Sequence, residues 1–576
     1  MTILHILKNK IITIAQNHLT LSDNAPLDKI TVELPKNPEH GDFSTNAAMV
    51  LAKSAQQKPQ DMAIQIGEQL AQDTDIQSCD VAGPGFLNIN LTPGFWSTHA
   101  KDLLTQGHNI GQPQSPSKDK ISLEFVSANP TGPMHIGHCR CAIFGDALGR
   151  ILTFMGYDVT REYYINDGGA QIDVLAQTLY HRYHEALGKD VGALPEGCYP
   201  GDYLKDAAQD LVKRDGDKWL SEPWEKSLKT FAIDKMMDLI NADLKKLDVM
   251  FDLFVSEHAL EVGGLVDEAF DALQAKGYIY RGVLEPPKGK CLEDWEPREQ
   301  DLLKSTQFGD DVDRPLKKSD NSWTYFGRDL AYHHDKIKRD NKTIINVLGA
   351  DHGGYVKRLT AAVAGLSDNT VELDAKLIQL VKLLRDGEPL KMSKRAGTIV
   401  GISDVLDEVG LDALRFMMLI RRNDLVVDFD VAKVIEKTKD NPVFYVQYAH
   451  ARIWSVMRHA QTIWPSKFDN PNLWDEWLLT ECLDVDLAFI KKLSHWSIAL
   501  DKAAQSHEPH RVAFYLHELA AHLHQLWHHG KGDVELKFIH PNDWTTTYQR
   551  LGMLRLAAHV FKTGLSLLGV SAPEEM

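Results

Sequence analysis

The stretch ISLEFVSANPTGPMHIGHCRCAIFGDALGRILTFMGYDVTREYYI, residues 121–165, decides the fold. Its first run, ISLEFV (121–126), has the β-branched and aromatic character of a strand. A turn rich in Pro and Gly follows, then a segment over 135–156 whose apolar residues recur at helical spacing. DVTREYYI (158–165) reads as a second strand. Strand, helix and strand in this order form a βαβ unit, which implies a parallel sheet with a right-handed crossover.

Working outward, strand patterns resume at TIINVLG (343–349) and AKLIQLVKLL (375–384). The long polar section between, broken by GALPEGCYPGDY (192–203) and GVLEPPKGKCLEDWEP (282–297), reads as an insertion at about 170–340 within the sheet domain. Upstream, GQPQSPSKDK (111–120) has linker composition. Downstream of about residue 440 helix patterns dominate, as in RVAFYLHELAAHLHQLWHH (511–529). These breaks divide 576 residues into an N-terminal α+β module at 1–112, a parallel-sheet domain at 113–440 and an all-α helical bundle at 441–576.

Composition narrows the class. The first twenty residues resemble a targeting signal until Lys8 and Lys10 interrupt the apolar run, and Ile3, Leu7, Ile11 and Ile14 instead mark an amphipathic helix. No run reaches the roughly 18 apolar residues of a membrane span, so a cytoplasmic protein without membrane contact is expected. Six cysteines without CxxC pairing indicate neither a disulfide framework nor a zinc site. The net charge of −17 argues against wholesale coating of nucleic acid. That charge is uneven, however: residues 441–576 carry 12 Lys and Arg against 14 Asp and Glu, so nearly all the excess lies upstream and local basic strips remain available.

Two segments carry chemistry. His135-Ile136-Gly137-His138 opens the helix after the first strand. A helix N-terminus presents unpaired N–H groups and a positive dipole end, which suits phosphate. His135 and His138, three apart, share a face and can donate to phosphoryl oxygens, and Gly137 leaves room for a flat base. Some 250 residues on, Asp386-Gly387-Glu388-Pro389-Leu390-Lys391-Met392-Ser393-Lys394-Arg395-Ala396-Gly397 forms a basic loop between glycines, able to bring Lys394 to a polyphosphate. Together they describe nucleotidyl transfer from ATP.

HIGH followed by KMSKR resembles the class I aminoacyl-tRNA synthetases. LEFVSANPTGPMHIGH (123–138), YPGDY (199–203), STQFGDDVDRPLKKSD (305–320), TYFGRDLAYHHDK (324–336), GADHGGYVKR (349–358) and NPVFYVQYAHAR (441–452) narrow the resemblance to the arginyl-tRNA synthetases. GDFSTNAAMVLAK (41–53) extends it into the first module. The resemblance implies a Rossmann-type catalytic domain with ATP at His135, Gly137, His138, Lys391 and Lys394. It assigns His135, His138 and Lys394 to catalysis.

By the same resemblance, Glu124 and Asp329 accept the guanidinium of arginine, Tyr325 closes one side, and Ser127, Asn129, His138 and His352 hold the α-amino and carboxylate ends. A planar, permanent cation requires such carboxylates. A site that must satisfy two buried carboxylates rejects neutral amino acids by on the order of 10⁴ or more, so no editing domain is demanded.

The implied reaction forms arginyl-adenylate from L-arginine and ATP, then transfers arginine to the terminal ribose of tRNA(Arg). Mg²⁺ arrives with ATP; no tightly bound cofactor or structural metal is expected, and the working form is a monomer. In the first module, GPGFLNI (83–89) resembles the segment that receives an unstacked base from the tRNA elbow, the D-loop, with Phe86 as platform and Asn88 as edge reader. Tyr445, Gln447, Arg452 and Tyr548 are candidates for anticodon contact. One departure from the family ending Pro-Glu-Arg-Met is Glu575, which removes a positive charge. Cys139 and Cys141 point to different helix faces, and His522, His524, His528 and His529 lack a positioned carboxylate, so neither group is assigned a metal. Two alternatives stand beside this reading: a class I synthetase for another amino acid, and a non-catalytic tRNA-binding paralogue.

Overall fold

A computed structural model describes residues 2–284, 298–318, 320–390, 401–480 and 483–576. The chain separates into two compact units: Pro116–Lys437, and Met1–Ser115 together with Thr438–Met576.

The first unit is built on five parallel strands: β1 (Lys120–Glu124), β2 (Asp158–Ile165), β3 (Leu253–Ser256), β4 (Thr343–Gly349) and β5 (Glu372–Ile378). Their order across the sheet is β3-β2-β1-β4-β5. The helix α1 (Ile136–Phe154) connects β1 to β2 and lies close to the sheet. That approach requires Gly145, where an added Cβ would fall 2.2 Å from the Phe125 ring. Strand order reverses between β1 and β4. At such a reversal the loops leaving the strand ends diverge and open a crevice at the C-terminal edge of the sheet. The Rossmann-type expectation therefore holds, and it fixes where a ligand belongs.

Two sequence expectations change. The strand pattern does not wait for residue 343: β3 lies inside the stretch read as an insertion. It is an edge strand of four residues with Phe254 41% exposed, too short and too open for an alternation to register. The run at 375–384 is also two strands rather than one. β5 ends at Ile378, and Val381–Arg385 joins a separate sheet with Glu388–Pro389 and Val427–Asp430. The bend is made by tertiary contacts, since the Gln379 N–H donates to the Asn423 carbonyl at 2.8 Å and the Gln379 carbonyl accepts from the buried Arg140 guanidinium at 2.9 Å. Neither Gly nor Pro marks it.

Between β2 and β3 lie α2 (Ala170–Ala186), α3 (Tyr203–Asp215) and α4 (Glu225–Lys246). They close on a core of their own that includes Leu179, Tyr183, Leu204, Leu211 and Leu228. A further helix, α5 (Tyr325–Lys338), precedes β4.

In the second unit, four antiparallel strands take the order Val32–Glu33, Phe43–Thr45, Phe86–Leu91, Ile76–Ala82. The N-terminal helix Ile3–His18 buries Ile3, Leu7, Ile11 and Ala15; Ile14 is only half-buried, because a step of four carries the apolar stripe to Ala15 instead. From 438 onward the described residues form no strand, and the long helices are Pro442–Ile463, His510–Gly532 and Trp544–Leu567. Trp496, fully buried, donates its indole N–H to the Ile110 carbonyl at 2.8 Å, while Ser97 Oγ donates to the Leu479 carbonyl at 2.6 Å. These bonds join the N-terminal module to the helical bundle. No helix among the described residues is long and apolar enough to cross a membrane.

Candidate active site

The turn from β1 into α1 lies at the sheet's reversal. It is held in a conformation that side chains rarely adopt: Val126 and Ser127 have φ of +68° and +41°. Bonds from β2 and the loop after it hold it there. Tyr163 donates its hydroxyl to the Ala128 carbonyl at 2.8 Å, the Tyr164 N–H donates to Ser127 Oγ at 3.1 Å, and the Asn166 amide donates to the Ser127 carbonyl at 3.2 Å.

At the start of α1 the two histidines cap the helix reciprocally. His135 Nδ1 accepts from the Gly137 N–H at 3.2 Å, and His138 Nδ1 accepts from the His135 N–H at 3.3 Å. Their rings stack with centroids 3.8 Å apart. A Cβ on residue 137 would sit 3.0 Å from His135 Cε1, which explains the glycine between them. Because Nδ1 accepts in each ring, the proton of the neutral imidazole resides on Nε2. The cap thus fixes the tautomer of both rings.

Lys391 and Lys394 lie outside the described residues. The residue that follows that segment, Gly401, pairs backbone to backbone with His135 in an antiparallel bridge.

Three carboxylates share the crevice. Glu124 ends β1 and is 7% exposed; Asp329 lies in the second turn of α5; Glu257, which sequence reasoning missed, follows β3 directly and is 5% exposed. Burial pushes the Asp329 carboxyl up to about 7, and the negative charges of Glu124 and Glu257 push in the same direction, against the Tyr355 hydroxyl bonded to it and the Lys336 ammonium. Burial also raises Glu257, with Arg328 opposing. The phenol of Tyr164 is raised by burial and then by the nearby charges of Asp329, Glu257, Glu124 and Asp167. Lys336 at Glu124 and Arg328 at Glu257 offset part of this charge, and the carboxylate oxygens that remain suit a permanent cation.

Glu124 is more constrained than its sequence position suggests. Lys336 Nζ donates to its Oε2 at 2.7 Å, and Ser127 Oγ donates to its Oε1 at 3.2 Å. Glu257 Oε2 accepts from the Gly168 N–H at 3.3 Å and lies opposite Arg328. Tyr325 opens α5, four residues before Asp329, and is 66% exposed. Asn129 is exposed on the turn, and His352 is exposed on the 3₁₀ segment after β4. Only a fold could have exposed Glu257, since the four-residue strand preceding it carries no usable pattern.

In the N-terminal module, Phe86 is 40% exposed and Asn88 buried, and both line a cavity of about 740 Å³ with Lys36, His40, Ser44 and Asn46. Phe86 is therefore not a core aromatic. In the bundle, Tyr445, Arg452 and His524 form one group: the Arg452 guanidinium lies over the Tyr448 and Trp527 rings and bonds His524 at 3.2 Å. Tyr548 stacks between Trp474 and Trp544. Gln447 is buried, and its amide donates to the Ser571 carbonyl at 3.0 Å, so the structure turns it toward the C-terminal tail rather than the surface. Glu575 pairs with Arg458 at 3.5 Å. Among the described residues no group of three or more His, Cys, Asp or Glu has the arrangement of a metal site. His524 is buried and engaged, and Cys139 is buried with its thiol pushed far up by burial.

Comparisons with known proteins agree along the chain. Residues 1–91 match the arginyl tRNA synthetase N-terminal domain, 99–455 the catalytic domain of class I tRNA synthetases (R), and 446–576 the DALR anticodon binding domain. The chain is 52% identical over 554 residues to the arginine–tRNA ligase of Roseobacter denitrificans, covering 96% of this chain and 95% of that protein. It is 51% identical over 568 residues to that of Beijerinckia indica, covering 96% of each. The arginyl-tRNA synthetase structure from Thermus thermophilus, 20% identical, superposes with a TM-score of 0.72 over the whole of both chains and shares the fold. With its catalytic segment matched and its full length similar at about half of all positions, the chain belongs to the arginyl-tRNA synthetase family of class I.

Proposed function

We infer that this chain is an arginine–tRNA ligase: it activates L-arginine with ATP to arginyl-adenylate and transfers arginine to the 3′-terminal ribose of tRNA(Arg), releasing AMP and pyrophosphate. The observation that carries the reading is that Glu124, Glu257 and Asp329 lie near enough to act on one another or on the Tyr164 phenol they share, with Glu124 ending the strand whose turn leads into the capped histidine pair.

In this reading the carboxylates orient the guanidinium, with Tyr325 at the mouth, and Ser127, Asn129, His138 and His352 meet the α-amino and carboxylate ends. The arginine carboxylate attacks the α-phosphorus of Mg-ATP while the Nε2–H groups of His135 and His138 meet the phosphoryl oxygens, where charge develops. Lys391 and Lys394 act on the departing pyrophosphate. Mg²⁺ is part of the nucleotide substrate, held by phosphates and water rather than by a protein cage. The tRNA is read at its elbow by Phe86 and Asn88, and at its anticodon by Tyr445, Arg452 and Tyr548. The cytoplasmic, monomeric working form belongs to the same proposal.

Arginine-dependent ATP–pyrophosphate exchange, run with and without tRNA, tests the activity. Exchange with arginine, and none with lysine or citrulline, is expected. No exchange in either arm overturns the enzyme reading, and equal exchange with another amino acid overturns the pocket.

A further inference from the structure

The turn bearing His135 is gripped from two sides. Its first half is held by β2 and the loop after it, as described above. Its second half, Thr131–Met134, meets the insertion. From α3, the Tyr203 hydroxyl donates to the Thr131 carbonyl at 2.8 Å. The phenol also fills the space beside Gly132, where a Cβ would come within 2.8 Å of its oxygen. From α4, Asp243 Oδ2 accepts the N–H of the fully buried Met134 at 3.3 Å, and Oδ1 accepts the Ser403 hydroxyl at 3.4 Å. Lys246, one turn further along α4, donates to the same Ser403 oxygen at 2.6 Å. Ser403 follows Gly401, whose backbone pairs with His135. Two insertion side chains therefore hold the two ends of Thr131–Met134, the segment that leads into the histidine pair, and one of them also holds the helix that starts at the bridge.

We propose that Tyr203 and Asp243 are positioning residues for the ATP step, through which the insertion sets the place of His135 and His138 against the phosphates. The inference rests on reading that turn as the ATP site. Neither side chain touches the guanidinium carboxylates, so their action falls on ATP and not on arginine. Displacing reacting groups by about 1 Å costs on the order of 10²-fold in rate, which makes a single lost bond to such a turn measurable.

The test is ATP–pyrophosphate exchange with arginine and tRNA, with ATP and arginine varied separately. Tyr203→Phe removes only the hydroxyl. Its control is Tyr183→Phe, which removes a similar hydroxyl, donating to the Gly216 carbonyl at 2.6 Å, from the core of the same insertion. Tyr203→Phe is expected to lower kcat/KM for ATP by on the order of 10- to 100-fold, with KM for arginine and the thermal midpoint matching those of Tyr183→Phe. Asp243→Ala is expected to do the same, and Asp243→Asn to recover most of the rate, because the amide keeps an acceptor for Met134 and a donor for Ser403. Equal ATP kinetics in Tyr203→Phe and Tyr183→Phe overturn the inference, as does an Asp243→Ala loss that Asp243→Asn does not recover. If Asp243→Ala does not accumulate as folded protein, the two tyrosine variants decide. Absence of exchange in the wild type overturns the reading of the site itself; wild-type exchange with indifferent tyrosine variants overturns only this inference.

Discussion

Lys336 on α5 is fully buried, with its Nζ 2.7 Å from Glu124 Oε2 at the end of β1 and 3.1 Å from Asn346 Oδ1 on β4. Asn346, Glu124 and Glu162 are direct partners across β4, β1 and β2, so they form one polar row through the sheet. Arg339 meets Glu162 through two bonds of 2.8 Å, where Lys336 meets Glu124 through one. His333 completes the row, with the Asn346 amide donating to its Nε2 at 2.9 Å. Its imidazole is pushed down to about 3 by burial and by Lys336, so it stays neutral there.

Removing the ammonium leaves the buried Glu124 carboxyl without the cation that faces it. Breaking a buried pair from one side costs roughly 3–5 kcal/mol, so Lys336→Met is expected to shift the unfolding transition of the catalytic unit by about that amount. The double variant Lys336→Met, Glu124→Gln should lose much less than the sum of the singles. Urea unfolding followed by circular dichroism checks both, and additive losses would mean that the two side chains are not coupled.

How far these features are legible in sequence depends on what each position shows locally. The βαβ unit and the histidine pair are legible because a short window contains strand, turn and helix with the right periods. Glu124 is visible as a strand end beside a Pro/Gly turn. Lys336 is not, since a lysine on a polar helix reads as solvated, and only the register of β1 and β4 brings both its partners beneath it. Glu257 is hidden for a related reason: it follows a four-residue edge strand, and its role depends on Arg328 and the Gly168 loop, far away in the chain. Gln447 shows the reverse, a polar residue in a motif whose partner is the chain's own tail.

Asp329 gives the site a defined pH dependence. Its carboxyl, ordinarily at 3.8, is raised to about 7, chiefly by burial. The native state therefore holds a proton that the unfolded chain has lost. Its contribution to stability is complete below 3.8 and is lost as pH rises through about 7. A bound guanidinium favours the ionised carboxylate, so arginine affinity should move the other way. It is expected to rise about tenfold between about pH 6 and pH 8, with a proton released on binding. Calorimetry in two buffers of different ionisation heat measures that proton, and Asp329→Asn should abolish both the release and the pH trend.

The histidine cap separates structure from chemistry. His135 accepts the Gly137 N–H through Nδ1, a role that an Asn side chain fills well at a helix N-terminus. His135→Asn is thus expected to hold the helix within about 1 kcal/mol while losing the Nε2 donor. The exchange rate should fall by on the order of 10²–10³, the range seen when one transition-state donor is removed. Steady-state kinetics beside thermal unfolding checks this. A large stability loss with a proportionate rate loss would make His135 only a cap.

The last expectation concerns the RNA. Phe86 is half-exposed at the rim of a cavity of about 740 Å³, with Asn88 inside it. An unstacked base on an aromatic ring contributes roughly 1–3 kcal/mol, so Phe86→Ala should weaken tRNA binding by about 5- to 150-fold. Because the cavity lies wholly in the N-terminal module, binding of arginine and ATP in the absence of tRNA should not change. A tRNA made abasic at the elbow position provides the discriminating arm: the wild-type protein should bind it as weakly as the variant binds intact tRNA. Combining the two changes should then add little, since both remove the same stacked pair. Independent, additive losses would place the base elsewhere and leave the cavity without its proposed guest.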